Sequence, residues 1–365
     1  MKKLSEIISV LENFAPRAYQ ETYDNSGLIV GSPEMEISGA LICLDSTEAV
    51  VDEALRLKMN LIIAHHPIIF SGLKKINGKN YVERTIIKAI QNNIAIYAIH
   101  TNLDNVRKGV NQEICKRLGI IETRILAPKS GVLRKLVTYS PESHAIKVRD
   151  ALFAAGAGSI GNYDECSFSV LGTGSFRGNK ESTPFVGEKG ERHHEKEERI
   201  EVIFEKHLQG RVLSGLRAAH PYEEIAYDIF SLENQHHNIG SGMIGELEKP
   251  LPVQEFLSLL KKVMKAEGIR YTIPNQTLIS KVAVCGGSGS FLLQDAIHAG
   301  ADAFVTADFK YHQYFDADEK ILIADIGHYE SEQFTKDLIY NILNQKFPTF
   351  ALRLSEVKTN PINYF

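Results

Sequence analysis

Two adjacent histidines, His65 and His66, end the apolar run Leu61-Ile62-Ile63-Ala64 and are followed at once by Pro67. Proline cannot donate to a strand ladder, so both imidazoles are left in a turn at the carboxyl end of a strand. Neutral imidazoles are costly to bury unpaired, and they suit Zn, Fe, Ni or Mn. Two other segments carry the carboxylates that a metal site would need. His100-Thr-Asn-Leu-Asp104 follows another apolar run, and Gly327-His328-Tyr-Glu-Ser-Glu332 follows the last one. His328 and Glu332 stand at i, i+4, which puts both side chains on one face of a helix.

His65, His66, Asp104, His328 and Glu332 therefore combine three imidazoles with two carboxylates. A structural zinc takes about four closed ligands, often cysteines. Carboxylates that bridge can instead hold two divalent ions about 3.5–4 Å apart, with room for a shared hydroxide. Zn, Fe and Mn all fit such a donor set. His100 and His312 stand near these motifs and are candidate proton carriers, while Asp308 is a candidate to orient a ligating imidazole. Each piece alone has a plainer reading. A loop histidine can simply be hydrogen-bonded, an Asp after a strand commonly caps a helix, and His-x3-Glu is usually a surface pair. The metal reading rests on their shared position after strands, the edge of an α/β sheet where ligands collect.

The elements that must position these residues alternate. In the first third, Leu4, Ile7, Ile8 and Leu11 mark one face of an amphipathic helix. Strands are expected at Gly39–Leu44, Asn60–Ala64 and Asn93–Ile99, with Asp45-Ser-Thr capping a helix through Leu57 and another helix around Val82–Asn92. The last third repeats this grammar, with strands at Lys281–Cys285, Asp302–Thr306 and Lys320–Ala324. Near-continuous apolar strands separated by helices predict a mostly parallel sheet covered on both faces. Gly286-Gly-Ser-Gly289 reads as a glycine turn allowing close approach to the site, still able to accept an anionic group. It lacks a P-loop lysine and is off pattern for a dinucleotide fingerprint.

From Val132 the order changes to strand (Leu133–Tyr139), helix (Ser143–Ala155), strand (Cys166–Gly172), strand (Arg199–Glu205), helix (Leu208–Ala219) and strand (Ile225–Leu232). That β-α-β-β-α-β order is the ferredoxin-like pattern. The expected organisation is a discontinuous α/β domain, residues 1–129 and 241–365, carrying an inserted α+β domain at 130–240. The charged tract Glu188–Glu198 is expected to be a solvated hairpin loop, with His193 and His194 on its surface. His236 and His237 lie at the domain junction without a carboxylate motif and are not taken as ligands.

At 365 residues, with 44% apolar and 24% charged residues, the composition is that of an ordinary globular protein. The net charge of −4 argues against general affinity for nucleic acid or anionic lipid. No run of about 18 apolar residues exists to span a membrane. Cys43, Cys115, Cys166 and Cys285 form no CxxC pair, and Cys43 and Cys285 lie in apolar runs, which points to reduced thiols and a cytoplasmic setting.

The motifs LIIAHHPIIFSG, YAIHTNLDNV, TADFKYH and DIGHYESE, with an early YDNSGLIVG, resemble those of the Nif-three-like family, whose members are known as GTP cyclohydrolase 1 type 2 homologues. The resemblance covers the two outer thirds. It places the family's dinuclear metal ligands on His65, His66, Asp104, His328 and Glu332, the set nominated above, and Asp24-Asn-Ser-Gly27 in a motif able to line the site or simply to form a turn. Long, YqfO-like members carry an insert similar to PII and CutA proteins, and His220-Pro-Tyr-Glu-Glu224 resembles a CutA segment. The family also implies a toroidal homohexamer. Two functions follow as expectations: a metal-dependent hydrolase of a small molecule using a metal-bridging hydroxide, or a metal-binding regulatory or chaperone-like assembly without turnover.

Overall fold

Successive residues of one strand point to opposite faces, and the run Leu61–Ala64 buries all of them. Leu61 and Ile63 pack with Leu4, Ile7 and Leu11 of the amino-terminal helix. Ile62 and Ala64 pack on the other side with Val50, Val51, Ala54 and Ile86. Helices thus cover both faces of this strand, and each buried aliphatic side chain contributes roughly 1.5–3 kcal/mol.

The computed structural model describes residues 1–365. It divides into two units, one built from Met1–Ala127 and Asn238–Phe365, the other from Pro128–His237. In the first unit, α1 (Leu4–Phe14) precedes β1 (Gly27–Val30), β2 (Ala40–Cys43), α2 (Glu48–Arg56), β3 (Leu61–Ala64), α3 (Tyr81–Gln91) and β4 (Ala95–Ala98). The short α4 (Thr101–Asp104), α5 (Val110–Leu118) and β5 (Ile120–Lys129) follow. Thr47, rather than Asp45, caps α2 by accepting from the Val50 amide, which leaves the Asp45 carboxylate for other work.

The second unit contains β6 (Leu133–Pro141), α6 (Ala145–Ala154), β7 (Ser167–Arg177), β8 (Arg192–Glu205), α7 (Gln209–Ala219) and β9 (Tyr227–Ser231). They form an antiparallel sheet in the order β9-β6-β8-β7, with Leu136, Ile200, Val202 and Phe204 packed on Val148, Leu152, Val212 and Leu216 of the helices. The expected hairpin loop at Glu188–Glu198 is shorter than its charge predicts, because the chain is already strand from Arg192, paired with Arg177. From Arg192 to Lys196 the charged side chains are not buried and pair only with β7, so the ladder tolerates them, while the buried Glu197 accepts from the Tyr222 hydroxyl.

The chain then continues through β10 (His236–Pro252), α8 (Val253–Val263), β11 (Arg270–Tyr271), β12 (Leu278–Ser288), α9 (Leu293–His298), β13 (Ala303–Ala307) and β14 (Leu322–Asp325). It ends with α10 (His328–Glu332), α11 (Thr335–Lys346) and β15 (Leu352–Leu354). The first unit holds two larger sheets rather than one mostly parallel sheet. One is ordered β15-β2-β3-β4-β1, parallel except where β1 runs against β4. The other is β11-β14-β13-β12-β10-β5, with β12, β13 and β14 parallel and β11 and β10 reversed against them. The protein is a mixed α/β structure with parallel and antiparallel pairing.

The glycine segment also departs from expectation. Instead of a turn, Gly286–Ser288 continues β12, with a register shift against β13 between Val284 and Ser288. No helix is long and apolar enough to cross a membrane.

Candidate metal centre

Each site residue stands just beyond a strand. β3 ends at Ala64 and delivers His65 and His66, whose amides bond to the carbonyls of Cys43, the last residue of β2, and Leu44 just after it. β4 leads to His100 and, through α4, to Asp104. β14 leads to α10, which carries His328 and Glu332 one helical turn apart. The Glu332 carboxylate lies 3.7 Å from His65 Nε2, 2.9 Å from His66 Nε2 and 3.2 Å from His328 Nε2. His65, His66 and Glu332 offer ligand atoms all within 4.8 Å of one another. Asp104 completes the group, with Oδ1 3.6 Å from His65 Nε2. All five nominated ligands meet in one place.

Every imidazole is held by its far nitrogen. His65 Nδ1 bonds the Ile99 carbonyl at 2.8 Å, His66 Nδ1 the Asp45 carboxylate at 2.7 Å, and His328 Nδ1 the Asp308 carboxylate at 2.6 Å. Such bonds set the tautomer and leave Nε2 to face the site. Asp308 reaches His328 from a left-handed backbone, φ 61°, immediately after β13. That bend also explains where His312 goes. It lies exposed on the 3-10 segment Tyr311–Ala317, its ring among Tyr311 and Phe315, and the structure does not bring it into the cluster. His193 bonds Glu195 and His236 bonds Glu205, both in the second unit.

Asp45 was hidden in the sequence by its plausible role as a helix cap. Its one signal was its place after β2, the neighbour of the histidine-bearing strand. Asp24, in the early turn motif, bonds His100 Nδ1 at 2.8 Å. Burial opposes its charge, but hydrogen bonds from His100, Thr101 and Ser26 hold the carboxyl well below the usual range.

Glu332 requires a glycine at position 287. Gly287 has φ +62°, and a Cβ there would strike Glu332 Oε1. The Gly286 amide donates to Asn111 Oδ1 and the Gly287 amide to Ser331 Oγ, each at 2.9 Å. Both amides being spent, these two residues cannot cradle an anion.

The electrostatics draw positive charge inward. Burial works against a charged His66, but bonds to Asp45 and Glu332 outweigh it and push the ring up to about 10. The same balance, set by Asp308 and Glu332, pushes His328 up to about 11. Burial raises Asp104 to about 6, with His65 pulling it back and the Glu332 charge adding to the rise. Glu332, though buried, is held well below the usual range by its three imidazoles. A cavity of about 200 Å³ opens beside the cluster, lined by Tyr23, Phe70, His100, Asp104, His328 and Phe291 among others.

Whether these residues fit a metal is decided by two atoms. His65 Nε2 and Asp104 Oδ1 are buried, face each other, and have no hydrogen-bond partner. Their 3.6 Å separation is too long for a hydrogen bond between them. Buried polar atoms are ordinarily satisfied, so two orphaned donors of electron pairs side by side fit a cation.

A sequence model of the family Duf34/NIF3 (NGG1p interacting factor 3) matches residues 2–361. The chain belongs to the Duf34/NIF3 family. It is 38% identical over 365 residues to a Bacillus subtilis protein named GTP cyclohydrolase 1 type 2 homolog, covering 98% of both chains. A Halalkalibacterium halodurans protein of the same name is 37% identical over 363 residues, again with 98% of each covered. Among solved structures, a Bacillus cereus protein related to NIF3 matches with a TM-score of 0.85 and 37% identity, over 100% of this chain and 99% of that one. A Staphylococcus aureus protein matches with a TM-score of 0.80 and 28% identity, over 100% and 99%.

Proposed function

We propose that this Duf34/NIF3 chain is a divalent-metal-dependent hydrolase whose two ions are held by His65, His66, Asp104, His328 and Glu332. The observation that carries the reading is the orphaned pair, His65 Nε2 and Asp104 Oδ1, at the edge of a cavity open to a small molecule. Two bound Zn, Fe or Mn ions would lower the pKa of water towards neutrality and so supply a nucleophile near pH 7. The protein's own part is to keep the donors aimed. Glu332 faces three imidazoles and, with them, would hold the ions. Asp45, Asp308 and the Ile99 carbonyl hold the rings, and His100 stands on the cavity wall as the proton carrier.

The name shared by the relatives makes GTP the first substrate to try, through hydrolytic opening of the guanine imidazole ring. The second unit reads as a ferredoxin-like, PII/CutA-like insert, supported by its strand order, which is 4-1-3-2 when its four strands are numbered along the chain. We place the protein in the cytoplasm as a toroidal homohexamer. Its four cysteines are unpaired, and Phe291, Tyr311 and Phe315 are exposed apolar groups that subunit contacts would cover.

The test is a screen of metal-loaded protein against GTP, other nucleotides and phosphoesters, beside Asp104→Ala. Turnover that survives this substitution would overturn the mechanism. Fewer than about one metal per chain, by elemental analysis of protein purified without chelators, would overturn the site itself. A regulatory role without turnover is the second reading. A cavity of about 780 Å³ in the second unit, lined by Phe168, Val170, Phe176, Phe185 and Tyr222 among others, favours it, being of a size to take a small effector. Metal binding without turnover of any nucleotide or phosphoester would select this reading.

A further inference from the structure

His100 is built like the ligand histidines but placed differently. Its Nδ1 is tied to a carboxylate, as in His66 and His328, and its ring lies 5.3 Å from that of His65 and 5.4 Å from that of His66. The Nε2 atoms of His65, His66 and His328 all come within 4.0 Å of Glu332. The close carboxylate contact of His100 is instead through Nδ1, to Asp24. Its ring forms part of the cavity wall, edge-on to Phe70 at 5.5 Å. His100 is thus beside the metal ligands and turned to the space a substrate would occupy.

The holder is unusually complete. The Asp24 side chain has no solvent exposure. Its Oδ1 accepts from His100 Nδ1 at 2.8 Å and from the Asn25 amide at 2.6 Å. Its Oδ2 accepts from Ser26 Oγ at 2.8 Å, from the Thr101 amide at 3.0 Å and from Thr101 Oγ1. The His100 amide in turn takes Ser26 Oγ as an acceptor, at 3.3 Å, alongside Asn102 Oδ1 at 3.0 Å. A carboxylate surrounded by donors acts as an acceptor only. The proton on His100 must then sit on Nδ1, and the Nε2 lone pair is the free one.

We propose that Asp24 is a positioning residue that locks His100 with Nδ1 as donor, so that Nε2 takes a proton from the water attacking in the cavity. The inference rests on the hydrolase reading above. As the water oxygen bonds to the substrate, its proton passes to Nε2, and the ring becomes an imidazolium whose Nδ1 proton stays on ionised Asp24. When the scissile bond breaks, the same proton passes from Nε2 to the leaving group, and the neutral ring is restored. No net charge or proton is left on the protein.

The experiment uses full-length protein with ¹⁵N-labelled histidine, its His100 ring signals assigned by difference from His100→Gln. Two-bond proton–nitrogen spectra report which nitrogen carries hydrogen. In wild type, Nδ1 carries the proton and Nε2 has the shift of a bare nitrogen. In Asp24→Asn the three donors on the Oδ2 side hold the amide oxygen, so the amide NH₂ faces His100 Nδ1 and moves the ring proton to Nε2, whereas Asp24→Ala gives the mixed pattern of an unconstrained imidazole. Loading with Co(II) is the second readout, and His100→Gln keeps the wild-type metal count and visible absorption bands. A proton on Nε2 in wild type, or an unchanged tautomer in Asp24→Ala, overturns the positioning role. A lost ion or altered Co(II) bands in His100→Gln would make His100 a ligand and also overturn the proposal. Wild type that binds no Co(II) would instead sink the hydrolase reading, and with it the proton transfer.

Discussion

Asp104→Asn separates stability from function in opposite directions. The Asp104 carboxyl is pushed from 3.8 to about 6, chiefly by burial. The sign follows from linkage. A folded-state pKa above the unfolded value favours the folded protein below about 4, and that advantage is lost as pH rises through about 6. A shift of this size corresponds to about 3 kcal/mol of destabilisation of metal-free protein at pH 8. Asparagine removes the charge while keeping the shape. Little hydrogen bonding is lost with it, because Oδ1 has no partner. In chelator at pH 8, Asp104→Asn is therefore expected to be more stable than wild type by up to about 3 kcal/mol, with the difference vanishing near pH 4. Divalent metal reverses the order. A ligand at a hundred times its Kd stabilises by about 2.7 kcal/mol, and the variant forfeits much of that. Urea unfolding at pH 4, 6 and 8, with and without metal, reads all of these. A variant less stable than wild type in chelator at pH 8, or equally stabilised by metal, would contradict this expectation.

Three further outcomes are expected. Metal affinity should climb between pH 6 and 9, because His66 and His328 are held protonated, at about 10 and about 11, and must release protons to bind; calorimetry in buffers of different ionisation enthalpy would show proton release, and a flat profile would contradict the assignment. Asp45→Asn removes the charged holder of His66 and should weaken metal binding about 10- to 100-fold, measured by competition with a chromophoric chelator. Gly287→Ala places a methyl group against Glu332 Oε1 at a positive φ. It should cost on the order of 1–3 kcal/mol in stability and weaken metal binding as well, read by thermal unfolding and the same competition assay.

Much of the first unit was legible because burial on both faces leaves a plain signature. Runs such as Leu61–Ala64 and Ala303–Ala307 are buried throughout and almost wholly apolar, Thr306 being the exception, and a charged or imidazole group that follows such a run stands out. That is why His65, His66, Asp104, His328 and Glu332, which the fold brings together, stand out in the sequence. The i, i+4 spacing of His328 and Glu332 needed only a helix, and α10 supplies one. The charged hairpin of the second unit misled in the opposite way, since the start of β8, Arg192–Lys196, pairs only with β7 and buries none of its residues, and so carries no apolar pattern.

What the chain could not reveal alone was which polar residues face each other. His312 and His100 look equivalent in sequence, both polar groups shortly after a strand. The left-handed turn at Asp308 sends His312 outward, whereas α4 keeps His100 on the cavity wall. Asp24 and Asp45 precede His100 and His66 by 76 and 21 residues, and only folding brings their carboxylates to the Nδ1 atoms. The local pattern of apolar and polar residues determined the strands and the imidazoles and carboxylates that follow them, because burial acts residue by residue. Pairing, tautomer and charge were decided by the tertiary structure, because hydrogen bonds and fields depend on distances between segments remote in the chain.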